Sequence, residues 1–336
     1  MKLTFYDSVS LFADLADEWD LLLAESSANR VFSSYVWQTT WWEAYQPGQI
    51  WALAARDDNG TLQGIAPWFL CGRDPQALKV SQIGCVDVTD YLEVIVRKGQ
   101  EEAVFTAFAE YIAAHTELYN ILELCNIPES SPMLAWLPDL MRARALSCVQ
   151  EIQDVCPVIL LPDAWEDYVN SLDKKNRHEL RRKLRRAGLV TWYIVGPDHD
   201  IEAEMERFFT LMRSSSSLKA EFLEDPHHAA FFSAVTPKLL EQRWLQLAFL
   251  MIGGKPAATY LNFIIGERVM VYNSGHNPDL SNYSPGIVLL ARLIEYAIEH
   301  SYRTFDFLRG DEAYKYDLGG RDTQVYSLTI RAGAQD

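Results

Sequence analysis

The feature that most constrains this chain is a repetition: one order of secondary elements can be read in each half of its 336 residues. In the first half a short strand at 3–6 precedes a helix over 9–24, whose Leu11, Leu15, Trp19 and Leu22 recur at helical spacing. A second helix covers 35–45. Strands at 50–56 and 62–70 flank Asp57-Asp58-Asn59-Gly60, where Asn-Gly is a hairpin signal. Strand-like sequence at 78–83 and 91–96, a helix near 102–115, a strand at 121–124, a helix near 133–144 and a strand at 146–150 complete that half. In the second half, a strand at 190–195 is followed by helices at 200–214 and 226–242, the latter with Asp225 to cap it and Pro226 in its first turn. Strands at 244–252, 257–265 and 269–273 come next. A helix over 286–300, a strand at 304–308, a helical turn near 312–316 and a strand at 324–330 end the chain. The second half therefore runs strand, two helices, three strands, helix, strand, helix, strand, and the first half fits the same order with one further strand-like segment. The expected fold class is mixed α/β: two tandem lobes, each a mixed central sheet flanked by helices. A generic pair of α+β domains is the alternative. The division is expected near 152–163, where Pro157 and Pro162 bracket a short apolar strand, giving lobes of 1–155 and 156–336. The length is more than one hydrophobic core usually holds.

Hydrophobic residues make up 49% of the chain, which excludes a disordered reading. No run approaches the roughly 20 apolar residues that cross a bilayer, so no stable membrane insertion is expected. The N-terminus has no signal-peptide core, and the five scattered cysteines read as buried free thiols, so a cytoplasmic protein is expected. No His/Cys spacing suggests a metal site. The net charge of −16 opposes broad affinity for DNA or anionic membrane. One segment breaks that pattern: 174–186 carries eight basic residues against Glu179 alone, +7 locally, within an expected helix over 174–187. Its narrow seam of Leu180 and Leu184 leaves most of the arginines for solvent or for an anionic ligand.

The most specific sequence lies near the end: Tyr272-Asn273-Ser274-Gly275-His276-Asn277-Pro278, Tyr283-Ser284-Pro285-Gly286, and Phe305-Asp306-Phe307-Leu308-Arg309-Gly310-Asp311-Glu312, followed by Tyr314-Lys315. This tail resembles the CelD-like acetyltransferase family of the GNAT superfamily, and its order also resembles that of the Fem aminoacyltransferases. Asn176-Arg177, Trp37-x-x-x-Trp41-Trp42 and Asp90-Tyr91 extend the resemblance upstream. Ser301 and Asp317 depart from the family pattern. The resemblance implies GNAT folds, acyl transfer with acyl-CoA (acetyl-CoA) as co-substrate, and a site at a split in the central sheet. It also implies that Lys315 faces the donor phosphates or the charged intermediate.

Acyl transfer to an amine needs a seat for the donor phosphates, an oxyanion stabiliser, a base for the amine and an acid for the leaving group. Ser284, Pro285, Gly286 and Ile287 open a helix whose free N–H groups suit phosphate, although the usual glycine-rich pyrophosphate loop is absent. Tyr272 and Tyr283 flank the expected split and are candidate acids. Asp306, set in an apolar strand, must be paired or have a raised pKa; Arg309 and Lys315 are its candidate partners. Asp311 and Glu312 are alternative bases. Asp90, Tyr91 and Trp37 are candidate acceptor contacts, and Arg177 opens the basic helix. Each also has a plain structural reading as core, surface or ion pair.

Three functions fit. The first is an acyl-CoA-dependent N-acyltransferase acting on an amino sugar or a polysaccharide or cell-envelope precursor. The second takes its acyl group from aminoacyl-tRNA, as the basic helix and the missing loop would allow. The third is a non-catalytic GNAT-like module of a polysaccharide-synthesis assembly. The oligomeric state is open.

Overall fold

The computed structural model describes residues 1–72, 74, 77–85, 88–188 and 190–332, so the last four residues of the expected second lobe lie outside the described ones. The chain forms two compact units: Met1–Asp154 with the segment from Thr323 onward, and Val155–Asp322.

The first unit contains β1 (Lys2–Tyr6), α1 (Ser10–Ala24), α2 (Tyr35–Tyr45), β2 (Gln49–Ile50), β3 (Ala52–Arg56), β4 (Leu62–Ala66), β5 (Trp68–Cys71), β6 (Lys79–Gln82), β7 (Ile95–Val96), α3 (Glu101–Ala114), β8 (Ile121–Pro128), α4 (Pro132–Arg142) and the start of β9 (Leu146–Leu160). The second contains α5 (Trp165–Ser171), α6 (Lys174–Ala187), β10 (Thr191–Ile194), α7 (Ile201–Ser215), α8 (Ser217–Phe222), α9 (Pro226–Glu241), β11 (Leu245–Ile252), β12 (Lys255–Ile265), β13 (Arg268–His276), α10 (Pro285–Glu299), β14 (Thr304–Asp306) and α11 (Ala313–Asp317). β15 (Arg321–Ala332) then carries the chain back.

In the first unit β1, β3, β4 and β7 form one antiparallel sheet, while β2, β5, β6, β8 and β15 lie side by side in another. The strands expected at 50–56 and 62–70 are each broken in two, at Trp51 and at Pro67. Proline lacks the N–H that an unbroken ladder needs there, and the two halves of each segment join different sheets. Trp51 and Trp68 stack at this double bend, within a core that also holds Phe105, Phe108 and Leu122.

Three expectations are corrected. β9 runs unbroken from Leu146 to Leu160, so the expected linker is strand. The C-terminal strand pairs with β8 of the first unit, Val325 opposite Pro128 and Ile330 opposite Leu122, so residues from Thr323 onward do not belong to the second lobe. Cys85 and Cys125 form a disulfide, leaving Cys71, Cys148 and Cys156 as the free thiols. The sequence separation of 40 between Cys85 and Cys125 hid their proximity; parallel pairing of β6 with β8 brings them together.

The second unit is a mixed sheet in the order β10, β11, β12, β13, β14, followed by the end of β9. β10 to β13 are antiparallel, and β13 to β14 is parallel. The core formed with α5, α6 and α10 includes Ala248, Leu250, Tyr260, Val271, Leu289 and Leu293. α7 packs on β12 and β13, and α9 on β11. The helix starts were legible because polar residues close them: Asp173, Asp200 and Asp225 each accept backbone N–H bonds at the starts of α6, α7 and α9.

Candidate functional site

The sheet of the second unit parts between β13 and β14. Their pairing is limited to Arg268, Val269 and Met270 opposite Thr304, Phe305 and Asp306. Past Met270, β13 runs on to His276, whereas the other chain leaves the sheet through Leu308 and Gly310, both at positive φ. A bulge on the β12 side leaves Tyr272 without a register partner and bends the free half of β13.

Side chains from four elements meet along this free half. Tyr260 of β12 lies opposite Ser274 of β13. Lys219 of α8 donates to the Ser274 carbonyl, and its Nζ lies 3.1 Å from Ser274 Oγ. The Ser274 N–H donates to Asn273 Oδ1 at 2.8 Å. Side chains therefore occupy both backbone groups of Ser274. The first turn of α10 stands beside this cluster: a Cβ on Gly286 would lie 3.8 Å from the Tyr260 hydroxyl. Ser284, at φ 51, makes no side-chain cap on α10, so the N–H groups of that turn stay available to an anion. A cleft bounded by Asn176, Lys183, Ile287, Tyr314 and Asp317 lies between α6, the start of α10 and α11.

Burial sets the charges. It pulls the Lys219 ammonium down to about 8, with the Glu312 carboxylate opposing. Burial and the Lys219 charge both lower the pKa of His276, which favours its neutral form. Burial holds the Tyr260 hydroxyl well above its ordinary range, so it stays protonated and can donate. Glu312 resists burial because Lys315 bonds to it, which keeps its carboxyl below the usual value and makes it a weak base.

The residues singled out from sequence divide sharply. Ser284, Pro285, Gly286 and Ile287 open α10, at the split. Lys315 is buried. Its side chain is 2% exposed, and Nζ donates to the carbonyls of Leu308, Arg309 and Gly310 at 3.3, 2.7 and 3.0 Å while pairing with Glu312 at 2.8 Å. It shapes the loop that forms one wall of the split. Asp306 is fully buried and pairs with Arg268 at 2.8 Å, rather than with Lys315, and accepts the Leu308 N–H. Tyr272 packs its ring on Phe232 and Phe263, apart from the core that holds Tyr260. Tyr283 is exposed on the 3-10 turn Pro278–Tyr283. Arg177 donates to the Asn170 carbonyl, Asp311 is exposed, and Arg309 is half-buried with its carbonyl held by Lys315.

Trp37, Asp90 and Tyr91 belong to the first unit. The Trp37 ring is wholly buried and donates to Thr89, and Tyr91 lies under the Arg30 guanidinium at 5.1 Å. Sequence reasoning missed Lys219, Tyr260, Ser274 and His276. Ser274 and His276 sit inside the quoted tail motif, but only the strand's burial pattern distinguishes them. Lys219 follows Ser214-Ser215-Ser216-Ser217 and carries no local signal.

Among the described residues no group of three or more His, Cys, Asp or Glu side chains could hold a metal ion, and no helix is long and apolar enough to cross a membrane. No curated protein is significantly similar to the chain. Residues 174–316 match the family model of the acetyltransferase (GNAT) domain, a class that takes acyl-CoA as donor. Similar solved structures include FemX, 12% identical over 97% of either chain with a TM-score of 0.68. A protein of unknown function from Bacteroides thetaiotaomicron is 15% identical over 98% of this chain and 100% of its own, with a TM-score of 0.59. The C-terminal domain of a putative lysylphosphatidylglycerol synthetase from Agrobacterium fabrum is 11% identical over 96% and 92%, with a TM-score of 0.56. At these identities the likeness is one of fold, a mixed α/β architecture of sheets and helices. Residues 174–316, which match the acetyltransferase (GNAT) domain model, take in the split between β13 and β14.

Proposed function

We propose that the chain is an N-acyltransferase of the CelD-like kind, which moves an acyl group from acyl-CoA to the amine of an amino sugar or of a polysaccharide or cell-envelope precursor. The observation that carries this is the split itself, which opens beside the uncapped first turn of α10. Acyl-CoA fits this place by its chemistry: the pyrophosphate takes the N–H groups of the α10 start, and Lys183 of α6 borders the adjoining cleft. The thioester then lies along the free half of β13. Tyr260, held protonated, supplies the proton for the departing thiolate, and a neutral base at the split takes one from the amine. The amino-sugar acceptor is argued from the CelD-like tail, residues 272–315.

A second reading takes the acyl group from aminoacyl-tRNA. The basic helix favours it. Lys174, Lys175, Arg185 and Arg186 are exposed on α6 and make no ion pair among the described residues, and α6 packs against α10. Such a helix would grip a phosphate backbone.

The test is transfer. The protein, acetyl-CoA and glucosamine or a related amine are mixed and free thiol is followed. Thiol release that depends on both protein and amine is expected. Release that appears only when aminoacyl-tRNA replaces acetyl-CoA would move the donor to the second reading, and no transfer from either would leave a non-catalytic module.

A further inference from the structure

Ser274 and Lys219 form a pair that the direct transfer above does not require. We propose that Ser274 is a nucleophile activated by Lys219, so that the acyl group passes through an ester on Ser274 before it reaches the amine. The inference rests on the acyl-transfer reading for its natural donor, and on three observations for its chemistry.

The first is reach. Lys219 Nζ lies 3.1 Å from Ser274 Oγ, within the distance at which a base takes a hydroxyl proton. The bond from Nζ to the Ser274 carbonyl pins the amine in that position. A neutral lysine amine can donate to the carbonyl and accept from the hydroxyl at once.

The second is the absence of a simpler role. Among the described residues Lys219 makes no ion pair with a carboxylate, so it is not a salt-bridge strut; both its hydrogen bonds go to Ser274. The groups around it are Glu312 before α11, His276 on β13 and Tyr260 on β12. Burial outweighs the Glu312 carboxylate and brings the ammonium to about 8, where a substantial share is free base at neutral to mildly alkaline pH.

The third is place. Ser274 lies on the half of β13 that extends past its pairing with β14, where the donor thioester is proposed to run, and Tyr260, opposite it on β12, stands beside the α10 start.

The chemistry closes. Ser274 Oγ attacks the thioester carbonyl carbon while Lys219 takes the hydroxyl proton. The C–O bond forms, the C–S bond breaks, and the thiolate leaves with the proton from the Lys219 ammonium. The acceptor amine then attacks the ester carbonyl. A C–N bond forms, the C–O bond breaks, and the amine's proton returns through Lys219 to Ser274 Oγ. The sum is a thioester and an amine going to an amide and a thiol, with no oxidant or further reactant.

The experiment uses p-nitrophenyl acetate, an activated ester that acylates a nucleophilic serine without needing a coenzyme A site. The full chain should release one equivalent of nitrophenolate in a burst and gain one acetyl group on the fragment spanning residues 269–292. The burst rate should rise through pH about 8 as Lys219 loses its proton. Ser274→Ala should abolish the burst, and Lys219→Met should slow it at least about tenfold and flatten its pH profile. No burst from the folded protein, or equal labelling of Ser274→Ala, overturns the dyad. Acetyl-CoA transfer that keeps its full rate in Ser274→Ala also overturns it while leaving the acyl-CoA reading intact. A burst on Ser274 with no binding of acetyl-CoA supports the dyad and overturns that reading instead.

Discussion

Lys315 and Lys219 show how the same residue type takes opposite roles through its surroundings. The Lys315 side chain is enclosed by three carbonyls and the Glu312 carboxylate, and these bonds fix the 308–310 loop. Replacing it by methionine leaves those acceptors without a donor and frees Glu312. Lys315→Met should therefore destabilise the second unit by about 3 kcal/mol, read from urea unfolding. A loss below about 1 kcal/mol would show that the loop is held by something else. The resemblance pointed to Lys315 as facing the donor, whereas its contacts with the 308–310 carbonyls depend on a loop that a motif does not display. Asp306 is similar. Its burial was legible from Phe305-Asp306-Phe307, whereas its partner Arg268 stands 38 residues away and becomes a neighbour only through strand pairing. Lys219 was invisible because its reach to Ser274 spans 55 residues and an element that no local pattern announces.

At the scale of elements, β13 positions the site, and it does so with a close approach. A Cβ on Gly275 would lie 2.4–2.7 Å from the backbone of Leu211 and Met212 in α7, so α7 can seat on this strand only over a glycine. Gly275→Ala should push α7 away, cost about 2 kcal/mol and lower the melting temperature measured by circular dichroism. An unchanged melting temperature would mean that the contact relaxes freely. Most elements here were legible. α7, α9 and α10 all lie within a residue or so of their expected spans, since capping residues and apolar periodicity are local signals. α5 and α8 were missed because seven and six residues give too few turns for a pattern. The strands of the first unit at 50–56 and 62–70 were found but not their breaks, which arise because each segment serves two sheets.

At the scale of the molecule, the repetition of element order was the most informative feature of the sequence, and it corresponds to two units. Proline residues near 157–162 suggested a linker, yet β9 passes through Pro157, whose carbonyl still accepts from Phe307, and ends at Leu160. The return of the last strand could not be read from order alone, since a strand's partner is decided by tertiary packing. Charge is also unevenly placed at this scale. A chain of net −16 keeps one cationic helix beside the start of α10, which is where the donor phosphates are proposed to lie. The most direct test of that placement is calorimetric titration with acetyl-CoA, comparing the natural chain with Gly286→Val. The new side chain would crowd the space between the α10 start and the Tyr260 hydroxyl, where an alanine Cβ would make only ordinary contact. The account predicts saturable micromolar binding that weakens at least about tenfold in Gly286→Val with the fold intact. Absence of saturable binding to the natural chain, or equal binding by both proteins, would contradict it.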